Sequence, residues 1–293
     1  MNKPDPPGVR AHDDRDWFLE AVRFTAAETG FSPRLIEKDY FCTVLLESLA
    51  ASHSTLVFKG GTCLAKVHMG FYRLSEDLDF AILMSCHATR AERRVPAGVL
   101  KKVVGGLQSQ LSFFRVVEPL TAANRSTQYT VRIGYDSLLL QQQDAIKIEV
   151  RLREPLLTPV LHGAAQTVLL DPVSGQSLIP PIMLPCISKA EAFAEKFRAA
   201  LSRHEVAICD FYDIDYAVRR LDLRPRDAAF VKLVQQKLVV PGNDPVNVSE
   251  HRLLMMRQQL WAQLKPVLRD QDFTEFDLER TFRTVVETAG LVS

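Results

Sequence analysis

From Asp14 to about Thr29 apolar positions recur at helical spacing, with Phe18, Ala21 and Val22 set among charges, and Gly30 supplies a stop. The polar, proline-rich residues 1–13 read as a loose arm ahead of that helix. Ser32 followed by Pro33 is an N-cap with proline at the first helical position; it opens a helix through Ile36, Tyr40, Val44, Leu45 and Leu49 to about Ser52. The period then changes. Thr55–Phe58 is a short apolar run ending at Gly60-Gly61, the pattern of a buried strand, and Thr62–Lys66 reads as a helix starting at that turn. Leu78, Phe80 and Ile82 alternate with Asp77, Asp79 and Ala81, which predicts a second strand.

A long helix is expected from about Val95 to Phe114, followed by alternating strands at Gln128–Tyr135 and Ala145–Arg153. In the second of these, Ile146, Ile148, Val150 and Leu152 face one way and Lys147, Glu149, Arg151 and Arg153 the other. Residues 155–187 hold much of the proline and read as a linker with one short strand at Thr167–Leu170. Beyond Pro185 the pattern is helical: Ser188 to Glu191 forms a capping box opening a helix to about Ser202, with further helices at 205–221, 226–237, 247–266 and 273–289. The predicted class is α+β. An N-terminal α/β lobe (1–155) with a mixed or antiparallel sheet leads through a linker (156–187) to a mainly helical C-terminal lobe (188–293), expected to complete a cleft.

Charge narrows the picture only slightly. With 36 basic and 35 acidic residues no global field advertises nucleic acid, so any such binding must come from local clustering. Cys42, Cys63, Cys86, Cys186 and Cys209 are odd in number and show no C-x-x-C spacing, and the histidines show no ligand spacing; reduced thiols in a cytoplasmic protein fit best. No signal peptide is visible and no apolar run is long enough to span a membrane.

The candidate chemistry lies between residues 57 and 80. A strand running through Gly60-Gly61 into a helix exposes backbone N–H groups to a phosphate, although a plain structural turn uses the same residues. Asp77 and Asp79 share a strand face, where like charges repel unless a cation lies between them; that suggests a magnesium site of oxygen ligands, against the alternative of a charged sheet edge. Glu149, on a later strand, can supply a third carboxylate, or instead pair with Lys147 or Arg151 on its own face. Arg73 can pair with a phosphate or brace a carboxylate, Ser75 can bond a phosphate oxygen, and either can simply cap the loop. Lys59 and Lys66 flank the turn within reach of a nucleotide, or sit on the surface. Glu37, Lys38 and Asp39 read as helix-surface pairs.

Five segments, in order, carry a family resemblance: IEKDYFCTVLLESL (36–49), FKGGTCLAKVH (58–68), YRLSEDLDFAI (72–82), AEKFRAAL (194–201) and CDFYDIDY (209–216). Together they resemble the AbiEii/AbiGii-type abortive-infection toxins of the nucleotidyltransferase superfamily, which includes DNA polymerase β-like enzymes. The resemblance implies that Gly60 and Gly61 cradle a nucleoside triphosphate, with Thr62, Arg73 and Ser75 as the candidates beside them. It implies that Asp77 and Asp79 hold catalytic Mg²⁺ (Mn²⁺ being the alternative), that Lys196 reaches the triphosphate, and that Asp210 belongs to the site, while Lys38 and Asp39 brace it. Relatives tend to carry arginine just before this aspartate; here Cys209 stands there, with Arg203 or His204 as the candidate replacement.

The expected activity is Mg²⁺-dependent transfer of an NMP from an NTP to an acceptor hydroxyl, with Glu149 completing the metal site and drawing the acceptor proton. The resemblance implies the toxin of a toxin–antitoxin or phage-defence system, with a cognate antitoxin encoded nearby. The expected acceptor is RNA, specifically the tRNA 3′ end, with protein as the alternative. Arg151, Arg153, Arg198, Arg203, Arg219, Arg220, Arg224 and Arg226 are dense enough to contact an RNA backbone. Two competing readings are a D-x-D glycosyltransferase, which leaves Gly60-Gly61 and Lys196 without a role, and a non-catalytic nucleotide- or RNA-binding module.

Overall fold

In the computed structural model, which describes residues 10–52, 55–85, 87–152 and 155–292, the chain forms two units: residues 1–155 with 160–186, and residues 156–159 with 187–293. Cys86, Arg153 and residues 1–9 of the expected arm lie outside the described residues.

The first unit opens with helix α1 (Arg15–Thr29), capped by the Asp14 carboxylate on the Trp17 N–H and closed by Gly30 at φ 76°. Helix α2 (Pro33–Ser52) follows with proline in first place, and the single turn α3 (Gly60–Cys63) comes after it. Residues 11–13 are not a loose arm. They form a 3₁₀ turn in which His12 bonds the Tyr40 hydroxyl through its backbone N–H (3.2 Å) and through ring Nδ1 (2.6 Å).

The sheet has seven strands: β1 (Leu56–Lys59), β2 (Leu78–Ile82), β3 (Phe114–Ala123), β4 (Gln128–Asp136), β5 (Gln143–Arg151), β6 (Leu161–Ala165) and β7 (Ile182–Cys186). Their order is β3-β4-β5-β2-β1-β7-β6, and the sheet is mixed, because β2 pairs parallel with β5 and β1 parallel with β7. Three strands lie where alternation predicts them, β1 lies where a continuous apolar run does, and three are elsewhere. β3 was not expected, and its first residue, Phe114, was placed at the end of a helix; helix α4 runs earlier, over Arg90–Gln110, from a Thr89–Glu92 capping box. Nearly all of β3 except Phe114 is partly or fully exposed, so it carries no alternating signal and is held at the sheet edge by backbone pairing with β4.

The expected linker instead supplies β6 and β7. Proline and glycine mask them in the sequence; Pro185 is tolerated because β1 pairs with β7 at a single position, Phe58 with Cys186. Conversely, Thr167–Leu170 is not a strand; Leu170 makes one isolated bridge to Ser177. Side chains satisfy this buried backbone: Asp39 accepts from the Val168 N–H (3.0 Å) and Thr25 from the Leu170 N–H (2.8 Å).

Glu37, Lys38 and Asp39 are buried, not surface pairs. Glu37 accepts from the Ser137 hydroxyl (2.6 Å) and the Leu138 and Leu139 N–H groups, Lys38 lies 2.8 Å from Glu76 and 3.1 Å from Asp144, and Asp39 lies 2.6 Å from Lys66. Lys66 therefore faces the core, where it also donates to Thr43 and to the Gln166 carbonyl.

The second unit is helical: α5 (Lys189–Ser202), α6 (Ile208–Arg220), α7 (Ala228–Leu238), α8 (Glu250–Gln259), α9 (Asp270–Glu275) and α10 (Leu278–Val292). The expected 247–266 helix ends in π and 3₁₀ turns, and the expected 273–289 helix is split at Phe276 and Asp277. Ser188 caps α5 on the Glu191 N–H, but the Glu191 carboxylate leaves the box. It accepts from the Leu157 and Thr158 N–H groups and pairs with Lys237 (2.6 Å), which also holds Glu195 (3.0 Å).

Breaking one buried pair leaves its partner charged and uncompensated, at about 3–5 kcal/mol. Lys66→Met is expected to destabilise the first unit by that amount in urea unfolding followed by circular dichroism; a loss below 1 kcal/mol would place Lys66 at the surface after all.

Candidate active site

Leu78, Phe80 and Ile82 turn one face of β2 into the core, which leaves Asp79 on the opposite face with Asp77 just ahead of the strand. Parallel pairing sets Asp79 directly against Glu149 of β5, and antiparallel pairing sets it against Lys59 of β1. Lys147 Nζ lies 3.5 Å from both Asp77 and Glu149, and Arg151 Nε lies 2.6 Å from Glu149. The three carboxylates predicted from separate segments thus meet on one sheet face. The alternative of a salt bridge at Glu149 holds as well, because both cations are there.

Electrostatics separate these carboxylates. Burial, and then the charge of Glu149, push the Asp79 carboxyl up to about 6. At Glu149 burial is outweighed by Arg151 and Lys147, which hold it below the usual carboxylate range. Lys147 is held above its ordinary value: burial opposes this, but Asp77, Glu149 and Asp79 prevail.

The glycine turn closes over the same face. Gly60 sits at φ 76°, and a Cβ there would lie 2.9 Å from Asp79 Cγ; a Cβ on Gly61 would strike the Arg73 guanidinium and lie 3.2 Å from Ser75 Oγ. Both glycines are needed because Asp79 and Arg73 occupy that space. Thr62 is buried and its hydroxyl donates to the Asp77 carbonyl, so its side chain braces the D-x-D segment and does not face a ligand. Arg73 also donates to the Leu74 carbonyl (3.1 Å).

Lys196 and Asp210 meet within the second unit. Lys196 Nζ lies 2.7 Å from Asp210 and 2.8 Å from Asp213. Arg203 lies 3.3 Å from Asp210, and His204 lies 3.2 Å from Asp244. Lys196 and Arg203 outweigh burial and hold Asp210 below the usual carboxylate range. Among the described residues the expected RNA-facing arginines are ion-paired or buried. Arg219 and Arg220 pair with Glu275, Arg224 with Asp222 and Arg226 with Glu287, besides the pairs of Arg151 and Arg203 already described, and Arg198 is buried.

The donor set at Asp77, Asp79 and Glu149 is all oxygen, as a hard divalent cation requires, and the three carboxylates converge on one sheet face. These residues fit such an ion.

The family model described as "Nucleotidyl transferase AbiEii toxin, Type IV TA system" matches residues 43–288. The chain belongs to the AbiEii family. It is a nucleotidyltransferase toxin, and enzymes of this class use an NTP and a divalent metal. No curated protein sequence matches it. Among solved structures this AbiEii chain is similar to JHP933 from Helicobacter pylori, with TM-score 0.51 and 14% identity over 89% of this chain and 93% of that one. It is also similar to MenT4, the nucleotidyltransferase toxin Rv2826c from Mycobacterium tuberculosis H37Rv, with TM-score 0.41 and 17% identity over 93% and 98% of the two chains. Among the described residues of the AbiEii chain no helix is long and apolar enough to cross a membrane.

Because the Asp79 carboxyl is raised above its unfolded value of 3.8, the folded state takes up a proton in acid, and stability is lost as pH rises from that value through about 6. In metal-free protein Asp79→Asn is expected to raise the melting temperature at pH 7 and to change it little at pH 4. Equal shifts at both pH values would contradict the raised carboxyl.

Proposed function

We propose that this toxin transfers an NMP from a Mg²⁺-bound NTP to a hydroxyl of RNA, in the form of the tRNA 3′ end, and that a cognate antitoxin encoded nearby restrains it. The observation that carries this reading is the register pairing of Asp79 with Glu149 beside Asp77, facing a glycine turn that leaves no room for side chains. Backbone N–H groups at Gly60 and Gly61, with Ser75 and Arg73 against them, hold the phosphates. A Mg²⁺ ion bound by Asp77, Asp79 and Glu149 supplies neutralisation of the departing pyrophosphate and activation of the attacking hydroxyl. The hydroxyl oxygen bonds to the α-phosphorus as the bond to pyrophosphate breaks, and the hydroxyl proton passes to solvent water. Arg151 and Lys147 keep Glu149 ionised and make it a weak base, so we assign Glu149 to the metal and not to the acceptor proton. Lys196 is assigned to the triphosphate on the resemblance alone; its ammonium is oriented by Asp210 and Asp213.

For the acceptor, the paired arginines of the second unit give way to a groove of about 470 Å³ in the first unit, lined by Arg90, Arg94, Lys101, Ala122, Ser126 and Tyr129. Among the described residues none of its three cations is ion-paired. Tyr129 stands opposite Val150, so the groove floor is on the other sheet face from Glu149. A polyanion as large as tRNA is suited to engaging both faces.

Two measurements test these readings. With each labelled NTP, Mg²⁺ and total RNA, the wild type is expected to label RNA, and Asp79→Asn or Glu149→Gln to lose at least about a hundredfold of that activity; transfer at wild-type rate in both variants excludes this site. Replacing Arg90, Arg94 and Lys101 by glutamate is expected to weaken RNA labelling and to flatten its salt dependence by about three charges' worth, with NTP binding unchanged. Labelling of a protein in place of RNA, with the triple variant fully active, would assign the acceptor to another class.

A further inference from the structure

Outside the carboxylate site, Cys63, His68 and Cys186 each bring one ligand-type atom to within 4.8 Å of the others. The two sulfurs come from residues more than a hundred positions apart, and the sheet explains how they meet. Cys63 closes the helical turn begun by Gly60, while Cys186 ends β7 at the position paired with Phe58 of β1. Both cysteines are fully buried and His68 is half-buried.

The third ligand depends on an unusual backbone. In an α-helix five residues turn about 500°, which leaves positions i and i+5 about 140° apart. Here Leu64–His68 is a π-helical turn, whose wider i to i+5 repeat returns His68 toward the side of Cys63. Such insertions cost helix stability and concentrate at functional sites.

A third feature clears space on the far side. Gly163 of β6 faces Cys186, and a Cβ there would lie 2.7 Å from the sulfur. The Cys186 sulfur lies within hydrogen-bonding reach of Cys63, His68 and the Gly163 N–H, so the three donor groups already converge on one point.

We propose that Cys63, His68 and Cys186 bind one Zn²⁺ ion, which staples the glycine turn to β7. Two thiolates and an imidazole are soft or borderline ligands that select zinc over magnesium, and three protein ligands leave the fourth tetrahedral position to water. None of the three residues belongs to the carboxylate set, so the two metal sites differ in place and in chemistry. No C-x-x-C spacing announces this one; it is assembled by a π turn and a strand that the sequence disguises.

The test is elemental analysis of the full chain, purified under reducing conditions from zinc-supplemented medium, followed by exchange with Co²⁺ and absorption spectroscopy. One zinc per chain and an intense thiolate-to-cobalt band are expected, both lost in the Cys63→Ser, Cys186→Ser double variant. His68→Ala, at a half-buried position, is expected to keep native circular dichroism and to lower cobalt affinity at least about tenfold. Absence of both zinc and a thiolate–cobalt band in folded wild type overturns the proposal. So does zinc retained by the double cysteine variant, or thiol counting that finds Cys63 and Cys186 joined as a disulfide in the reductively purified protein.

Discussion

The parallel pairing of β2 with β5 is the constraint around which the first unit is arranged. It sets two carboxylates, Asp79 and Glu149, side by side in partly buried sheet, an arrangement that repels itself unless cations attend it. The attendants come from the same strand, since Lys147 and Arg151 flank Glu149 at alternate positions and share its face. A register slip of one residue would turn Asp79 into the core and Phe80 out of it, so the apolar side of β2 fixes the chemistry on its other side. The missing Cβ at Gly60 follows from the same constraint, because the Asp79 side chain fills that volume.

What holds β2, β5 and the glycine turn in place is a run of three charges inside α2. Glu37, Lys38 and Asp39 point in different directions around a buried helix, and each ties down another segment. Glu37 binds the turn at residues 137–139 leading into β5. Lys38 binds Glu76, next to Asp77, together with Asp144 at the start of β5. Asp39 binds Lys66, in the π turn behind the glycines, and the backbone of Val168. Buried ion pairs add little net stability against an apolar alternative. Their value here is positional: each works only with its own partner.

The strands that carry chemistry were legible because one face of each is buried, and burial on one face imposes alternation; β2, β4 and β5 show it plainly. β3 was hidden because neither of its faces is buried, and β6 and β7 because prolines and glycine interrupt short strands held by few ladder bonds. Asp77, Asp79, Glu149 and the glycines were found from type and spacing. The burial of Lys66, Lys38 and Thr62 was not, since a lone lysine or threonine reads as surface until its partner is known. That partner lies 23 to 106 residues away for the lysines, beyond any local pattern. The pairing of the second unit's arginines was hidden for the same reason: Glu275 and Glu287 bond arginines 55 and 61 positions earlier.

The glycine turn has a different donor set on each side. Ahead of it in space stand carboxylates, hard ligands that suit an exchangeable ion delivered with a nucleotide. Behind it, one residue past Thr62, begins a cluster of thiols and imidazole, which holds borderline ions tightly. A turn that must keep two side-chain-free positions against Asp79 and Arg73 has few contacts of its own with which to stay rigid. Bracing therefore has to come from the residues that follow: Thr62 on the Asp77 carbonyl, Cys63 beside Cys186, Lys66 on Asp39 and His68 in the π turn. The unusual helix geometry after the glycines is where that bracing is concentrated, which is why so short a segment carries so many committed polar side chains.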